Sequence, residues 1–441
     1  MLLPPYVYDC ITALEQAGYA AWCVGGCVRD DCLGLMPSDY DLCTSALPEE
    51  TEAVFSGFGL VLAGKKHGTV GVITGGTVVE ITTFRTEGAY RDNRHPDWVR
   101  FVPDVNDDLA RRDFTVNAMA WSPTRGYADP FGGRQDLERK ILRAVGDPVQ
   151  RFREDSLRIL RGVRFAVRYG LTVEQATLDA MISEVPLMEN LARERVFDEL
   201  CKLLPLVTAA DLIRFAPILG AVMPPLGAEI GFKQHSPHHA FDVYTHTAYV
   251  TESVPKDLIL RWAALLHDVG KVPTFSRDEN GRGHFYGHAQ AGAELADGLL
   301  RSLKAPTQLR EQVVELIGQH MAPLTEDKKL LRRRMSRLGP ETVRQLLQLQ
   351  RADFGGKGVI EPRLSGEFDA IEELIREIEE EDTCLRITDL AVNGHDLMAL
   401  GFRGRAIGET LSALLEKVLD EHLPNEKSAL LAYVTKQEVP Q

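Results

Sequence analysis

The stretch that most constrains this chain is 22–43, WCVGGCVRDDCLGLMPSDYDLC. Trp22–Val24 is an apolar run closed by Gly25-Gly26, and Arg29-Asp30 follow on the first turn of an expected helix. Ser38-Asp39-Tyr40-Asp41 then sets two carboxylates two residues apart. Side chains alternate along an extended segment, so Asp39 and Asp41 are expected on one face. Taken singly, the turn reads equally as an ordinary turn and the acid pair as a solvated strand edge. Together, with Arg29 between them, they fit a metal-bound triphosphate. Backbone N–H groups would meet phosphate oxygens, and the carboxylates would hold Mg²⁺ between those oxygens and an attacking hydroxyl.

The rest of the first 150 residues fits a small α/β or α+β head around this stretch. Helical patterns at 5–18, 26–34 and 48–56 alternate with strand-like segments at 19–24, 40–43, 58–62, 69–74 and 77–84. Glu80, on the last of these strands, is a candidate third metal carboxylate or else a solvated charge. Residues 86–102, polar and broken by Gly and Pro, read as a mobile loop flanking the site. DLARRDFTVNAMAW (108–121) reads as a helix with Asp113 and Asn117 one turn apart, where they suit a ribose hydroxyl, and with Arg112 available to a phosphate. ADPFGGRQDL (128–137) reads as a Gly-rich hinge.

In RFREDSLRILRGVRFAVRYG (151–170), Leu157, Leu160, Val163 and Val167 form an apolar helical stripe. Asp155 and Arg158 lie off it at i,i+3, and Arg161 lies further round. One reading is a surface ion pair worth a few tenths of a kcal/mol. The other is a base reader. Cytosine and adenine each show an exocyclic amino donor beside a ring-nitrogen acceptor, which an Asp acceptor and an Arg donor match, whereas uracil and guanine do not.

GGCVRD with DYD, RRDFTVNA, DPFGGRQDL and EDSLRILRGVRF together resemble, in order, the motifs of the bacterial class II tRNA nucleotidyltransferases, within the polymerase β-like superfamily. That family comprises CCA-adding enzymes and their poly(A) polymerase relatives. The resemblance implies an elongated α+β protein: a head with a small β-sheet, then an all-α neck, body, HD domain and tail. The corresponding segments are 1–147, 148–234 (nucleobase recognition and RNA binding), 235–355 and 356–441. It implies catalytic Mg²⁺ on Asp39 and Asp41, and nucleotide contacts at Gly26, Arg29, Arg112, Asp155, Arg158, Arg161 and Arg164. Similar CC-adding enzymes lack the flexible loop that 86–102 supplies here, which favours addition of all three nucleotides. The implied activity is template-independent addition of CCA to tRNA from CTP and ATP. The alternatives are poly(A) synthesis, or an HD-type phosphohydrolase acting on RNA ends.

A second constellation places His246, His267-Asp268, His288, His320 and Asp353 on helical patterns. A lone His on an apolar helix is usually a core residue. Adjacent His267-Asp268 before a glycine-induced helix end suits a divalent transition metal with open coordination positions instead. The set is similar to the HD phosphohydrolase superfamily, which implies His246, His267, Asp268 and Asp353 as ligands, His288 and His320 as the extra histidines, and Lys271 as the motif lysine. The metal's identity stays open.

Bulk properties agree. At 441 residues, two to four domains are expected. The net charge of −14 argues against a general nucleic-acid coat but not against a local basic groove. The basic run at 326–337 is a solvated face or a phosphate-backbone contact, and the acidic helix at 364–382 reads as solvated. The seven cysteines form no Cys-x-x-Cys pair and read as buried thiols. Without a signal sequence or a membrane-length apolar run, a cytoplasmic protein with no membrane partner is expected, its oligomeric state open.

Overall fold

The computed structural model describes residues 1–88, 99–236, 240–358, 362–381 and 384–436. The chain divides into two compact units, the first made of Met1–Val207, Arg214–Gly227 and Ser302–Ala305, the second of Thr208–Ile213, Ala228–Arg301 and Pro306–Gln441.

The first unit opens with α1 (Pro5–Gln16), β1 (Ala21–Val24), α2 (Gly26–Cys32), β2 (Leu42–Thr44) and α3 (Pro48–Val54). Pro5 and Pro48 start their helices at positions where a missing N–H costs nothing. Strands β3 (Gly59–Val61), β4 (Thr69–Thr74) and β5 (Thr77–Thr83) follow, β4 and β5 being joined by Gly75-Gly76, both at positive φ as a tight two-residue hairpin demands. Then come β6 (Arg85–Glu87), β7 (Val99–Phe101), α4 (Val105–Ala110), β8 (Ala120–Ser122), β9 (Gly126–Ala128), α5 (Gly133–Glu138) and β10 (Ile141–Leu142).

The sheet runs β3-β4-β5-β2-β1-β8-β9, antiparallel except for β2 beside β5. Trp22, Val24, Cys43, Phe84, Leu109 and Ala120 share its buried core. All seven cysteines are free thiols.

A helical part completes this unit: α6 (Pro148–Glu154), α7 (Leu157–Tyr169), β11 (Thr172–Val173), α8 (Gln175–Glu184) and α9 (Arg193–Leu203). The expected single helix over 151–170 is two. Asp155 is extended (φ −145°), and α7 ends on Gly170 in the left-handed region. Leu157, Leu160 and Val163 are buried as the stripe requires, and Val167 is half-buried.

The helix expected over 108–121 does not form. Only α4 and a 3₁₀ turn, Thr115–Asn117, precede β8, because Phe114 pairs with Ala144 in an isolated bridge that draws the chain into extended conformation. Most of the loop at 86–102 lies outside the described residues. Its flanks, β6 and β7, pair antiparallel. The Gly-rich turn at 128–137 is a packed corner and not an open hinge. Asp129 accepts the Gly133 N–H at 2.6 Å, and a β-carbon at Gly133 would come within 2.2 Å of the Thr115 carbonyl.

Three further helices, α10 (Ala209–Arg214), α11 (Ala216–Val222) and α12 (Pro224–Gly227), lead on to the long helices of the second unit. These are α13 (Val243–Ser253), α14 (Leu258–Leu266), a hairpin of β12 (Ser276–Arg277) and β13 (Gly283–His284), α15 (His288–Ser302), α16 (Thr307–Gln319), α17 (Lys328–Leu338), α18 (Pro340–Gly355) and α19 (Pro362–Glu380). Asp242 and Asp257 cap α13 and α14, accepting the N–H groups of Thr245 and Leu260. The chain ends in α20 (Gly394–Ala399), α21 (Arg405–Leu419) and α22 (Lys427–Lys436), packed around Leu397, Phe402, Leu414 and Leu430. Among the described residues no helix is long and apolar enough to cross a membrane.

Part of the basic helix α17 is engaged by carboxylates. Lys328 pairs with Glu377 and Glu381, Arg332 with Glu381 and Glu421, and Arg333 with Asp420. The acidic stretch at 364–382 supplies two of these partners, Glu377 and Glu381, both of which stay exposed as expected.

Candidate active site and metal centre

In the head, β1 delivers the chain to Gly25, whose φ of +74° only glycine adopts without strain. Space demands glycine as well, since a β-carbon there would stand 2.8 Å from Nη1 of Arg112. Gly26 opens α2 and tolerates more, with Arg29 Nη2 at 3.6 Å from such a carbon. Asp39-Tyr40-Asp41 leads directly into β2. Tyr40 is buried while Asp39 and Asp41 are exposed, the alternation that places both acids on one face. The Asp41 carbonyl accepts the Val24 N–H at 3.0 Å, so the acid pair lies against the residue that precedes the glycine turn.

Leu42 pairs with Ile81 of β5, which brings Glu80 alongside Asp41. The surrounding protein, then the charges of Asp39 and Glu80, push the Asp41 carboxyl up to about 6, with Arg112 opposing them. Neighbouring carboxylates that raise one another in this way are charges that a divalent cation would relieve. Among the described residues, Arg112 forms a long ion-pair contact to Asp108 at 3.4 Å, and its Nε has no hydrogen-bond partner. Of the expected phosphate ligands it is the one standing at the turn with hydrogen-bonding capacity to spare.

Arg29, expected to meet phosphate, is buried and engaged. It chelates Asp30 at 2.7 and 2.9 Å, donates to Asn117 Oδ1 and Tyr169 Oη, and lies over the Tyr169 ring at 4.3 Å. Asp113 and Asn117 do meet, at 3.0 Å, but through the 3₁₀ turn, and they serve this internal network in place of an open ribose face. Burial opposes the charge on Asp113. Arg161, at 2.8 Å, and the Asn117 amide more than offset it and hold the carboxyl down at about 2.

The expected Asp155–Arg158 pair is also altered. Because α6 stops at Glu154, Asp155 caps Leu157 and accepts from Arg195 of α9 at 2.9 Å. Arg158 instead donates to the carbonyls of Arg111 and Arg151 and to Glu154. Arg164 is buried against Glu199 at 2.5 Å, a link between α7 and α9. Neither Arg195 nor Glu199 stands out by spacing, though both lie in ARERVFDEL.

In the second unit the six expected ligands converge. His246 on α13 stands 3.0 Å from Asp353 on α18 and 3.4 Å from Asp268, while His267 is 3.2 Å from Asp268. His288 lies 3.6 Å from the other oxygen of Asp268 and 3.3 Å from His320. Two donor sets result, His246–His267–Asp268 and Asp268–His288–His320, each with its donor atoms within 4.8 Å of one another. The Nδ1 atoms of His267, His288 and His320 each hydrogen-bond a carbonyl three residues back, at 2.7–2.8 Å. This fixes the tautomer with the Nε2 lone pair facing inward, as metal-ligating histidines require.

Burial disfavours the charged form of His267, yet Asp268 and Asp353 push it up to about 10. Burial and the His267 charge push His320 down to about 4. A divalent cation satisfies the same carboxylates without a proton. Lys271 reaches Asp268 at 2.6 Å and Gln234 at 3.0 Å. Glu229, 0% exposed, carries no signal in the sequence. Burial, then the Asp268 charge, pushes its carboxyl up to about 8.

Residues 21–143 match the model of the poly(A) polymerase head domain, 170–213 that of a probable RNA- and SrmB-binding site of polymerase A, and 285–434 that of a tRNA nucleotidyltransferase domain 2. The CCA-adding enzyme of Streptococcus mutans is 32% identical over 443 residues, covering 99% of this chain and 98% of that one. That of a Streptococcus pyogenes serotype M3 strain is 50% identical over 194 residues, 44% of this chain and 48% of the relative. The crystal structure of the Bacillus stearothermophilus CCA-adding enzyme in complex with CTP is 28% identical, with a TM-score of 0.72 over 99% of this chain and 98% of that one. With near-complete alignment to such relatives and its acid pair set against the glycine turn, the chain belongs to the bacterial class II CCA-adding enzyme family.

Proposed function

We infer that the protein completes the 3′ end of tRNA by adding CCA from CTP and ATP without a template. The observation that carries this reading is the cluster of Asp39, Asp41 and Glu80 beside the Gly25-Gly26 turn and Arg112, in a chain that aligns end to end with CCA-adding enzymes. Asp39 and Asp41, with Glu80 in support, would hold Mg²⁺, which when bound lowers the pKa of an RNA hydroxyl and neutralises a leaving pyrophosphate. The chain's own residues do the rest. Gly25 and Gly26 let the backbone approach the triphosphate, and Arg112 balances its charge. Asp155 and Arg158, once turned toward the nucleotide, accept from and donate to the edge shared by cytosine and adenine. Arg161, by holding Asp113, and Arg29, by holding Asp30, Asn117 and Tyr169, brace the site from behind. Arg164 serves the same end through Glu199.

The test against poly(A) synthesis is CTP alone on a tRNA that stops before CCA. Addition of two cytidines supports the reading, and refusal of CTP supports a poly(A) polymerase.

A second activity is favoured by the buried His/Asp cluster. His246, His267, Asp268, Asp353, His288 and His320 would hold a divalent transition metal, which when bound activates water toward a phosphate ester. Lys271 and Lys357 line the adjoining pocket and would neutralise the ester's charge. Functionally, the chain then reads as a head (1–147), a nucleobase- and RNA-binding neck and body (148–234), a metal domain (235–355) and a tail (356–441). Release of para-nitrophenol from para-nitrophenyl phosphate, lost in Asp268→Asn, tests the hydrolase.

A further inference from the structure

We propose that the open face of the head sheet beyond Glu80, formed by Val61, Ile73 and Val78, seats the terminal nucleoside of the RNA being extended. This deepens the reading of the head as the site of CCA addition and rests on it.

Strand register brings these side chains together. Gly71 of β4 pairs with Glu80 of β5 and with Val61 of β3, and Ile73 pairs with Val78 and with Gly59. Paired residues share a face and side chains alternate along a strand, so Val61, Ile73, Val78 and Glu80 lie on one side of the sheet. Asp41 lies on the same side, because its neighbour Leu42 pairs with Ile81. The other side takes Val70, Val72, Val79 and Ile81 into the core. Val61, Ile73 and Val78, by contrast, are 41%, 48% and 46% exposed. They form a closed plate without pits. A β-carbon at Gly71 would stand 2.8 Å from Val78 Cγ1 and 3.1 Å from Val61 Cβ, so these two side chains already fill the space above that glycine.

The occupant follows from the geometry of the transfer. Attacking and leaving oxygens take opposite sides of the transferred phosphorus. In the sheet, β2 separates β1 from β5. With the triphosphate at the Gly25-Gly26 turn after β1, a hydroxyl held near Asp41 and Glu80 arrives from the β5 side. Its nucleoside then lies over β5 and β4. Toward the other end of this face, Trp22, Cys43 and Phe84 are packed in the core with Val105 and Leu109 of α4, which closes that direction. The chemistry of the plate fits as well. Adding three nucleotides in turn changes the residue that carries the hydroxyl from step to step. Three aliphatic side chains offer no donor or acceptor, so they hold any base by contact and reject none. A protein strand or a second copy of this chain laid on the plate would stand in the path of the hydroxyl.

The test is steady-state CCA addition by the full chain with Ile73→Thr/Val78→Thr, a change that keeps both positions β-branched. The KM for tRNA ending before CCA should rise about tenfold. The KM for CTP should stay within about twofold of wild type, a split that general loosening of the head would not give. Ile73→Val/Val78→Ile, which keeps the plate apolar, should restore the tRNA value. The rise should be the same whichever base ends the tRNA, and should persist with a hairpin containing only the acceptor stem. An unchanged KM for tRNA, an equal rise for CTP, a rise confined to one terminal base, or one lost with the hairpin would each overturn the proposal. Where the double variant melts below wild type, a photoreactive thiouridine as the last residue of the tRNA decides on the unaltered chain. Cross-links at Val61, Ile73 or Val78 support the plate, and cross-links confined to residues 148–234 overturn it. If the wild type refuses CTP, the CCA reading fails, and the same comparison run with ATP still decides whether the plate holds the RNA end.

Discussion

Val24 donates its N–H to the carbonyl of Asp41 at 3.0 Å, and through this bond the acid pair is registered against the turn at Gly25-Gly26. Asp41 is an exposed residue outside the apolar core, so its carboxylate contributes charge to the site and little to the packing.

Asp41→Ala should therefore abolish nucleotide incorporation and leave the fold intact. Melting temperature within a degree or two of wild type and no transfer of labelled CTP or ATP to tRNA lacking CCA are expected. Persistent transfer would show that the metal site lies elsewhere.

Asp155 is tied to Arg195 and Arg158 to the Arg111 carbonyl, so base reading requires both side chains to exchange partners. Asp155→Ala and Arg158→Ala should each blunt rejection of UTP and GTP. The second should also cost about 1–2 kcal/mol of stability, because it removes the Arg158 hydrogen bonds to the Arg111 and Arg151 carbonyls. Unchanged discrimination in both variants would remove these residues from nucleotide selection.

The His/Asp cluster should take up divalent transition metal in the purified protein. Elemental analysis is expected to find metal in the wild-type chain and none at this site in His246→Ala/Asp268→Ala. Added Zn²⁺ or Mn²⁺ should raise the wild-type melting temperature by several degrees through binding to the folded state alone. A double variant that melts and retains metal like wild type would contradict the ligand assignment.

Asp113 predicts an acid limb of stability. Its carboxyl is held at about 2 in the folded chain against an ordinary 3.8. A depressed carboxylate stabilises the fold above its unfolded value and loses that contribution as pH falls toward the folded one. The difference corresponds to about 2 kcal/mol. Urea unfolding between pH 5 and 2 should show this loss in wild type and a flatter profile in Asp113→Asn. Parallel profiles would assign the acid sensitivity to other groups.

Much of the head was legible because its signals are local. β1, β4 and β5 follow from apolar runs bounded by glycine, and the shared face of Asp39 and Asp41 follows from strand alternation. The His/Asp set was legible for a related reason. Its residue types are scarce on apolar helices, so their recurrence marks one centre even though 107 residues separate His246 from Asp353.

What the sequence by itself determined, then, was which residues bear charge or ligating atoms and which face of its own element each occupies. Only the tertiary structure decided whom they touch. It gave Arg29 to Asp30 and Tyr169, Asp155 to Arg195, Arg164 to Glu199 and the basic helix α17 to the acidic stretch at 364–382. The reason is physical. A buried or half-buried charge must find an opposite partner wherever packing brings one, and helical spacing fixes only the neighbours one turn away.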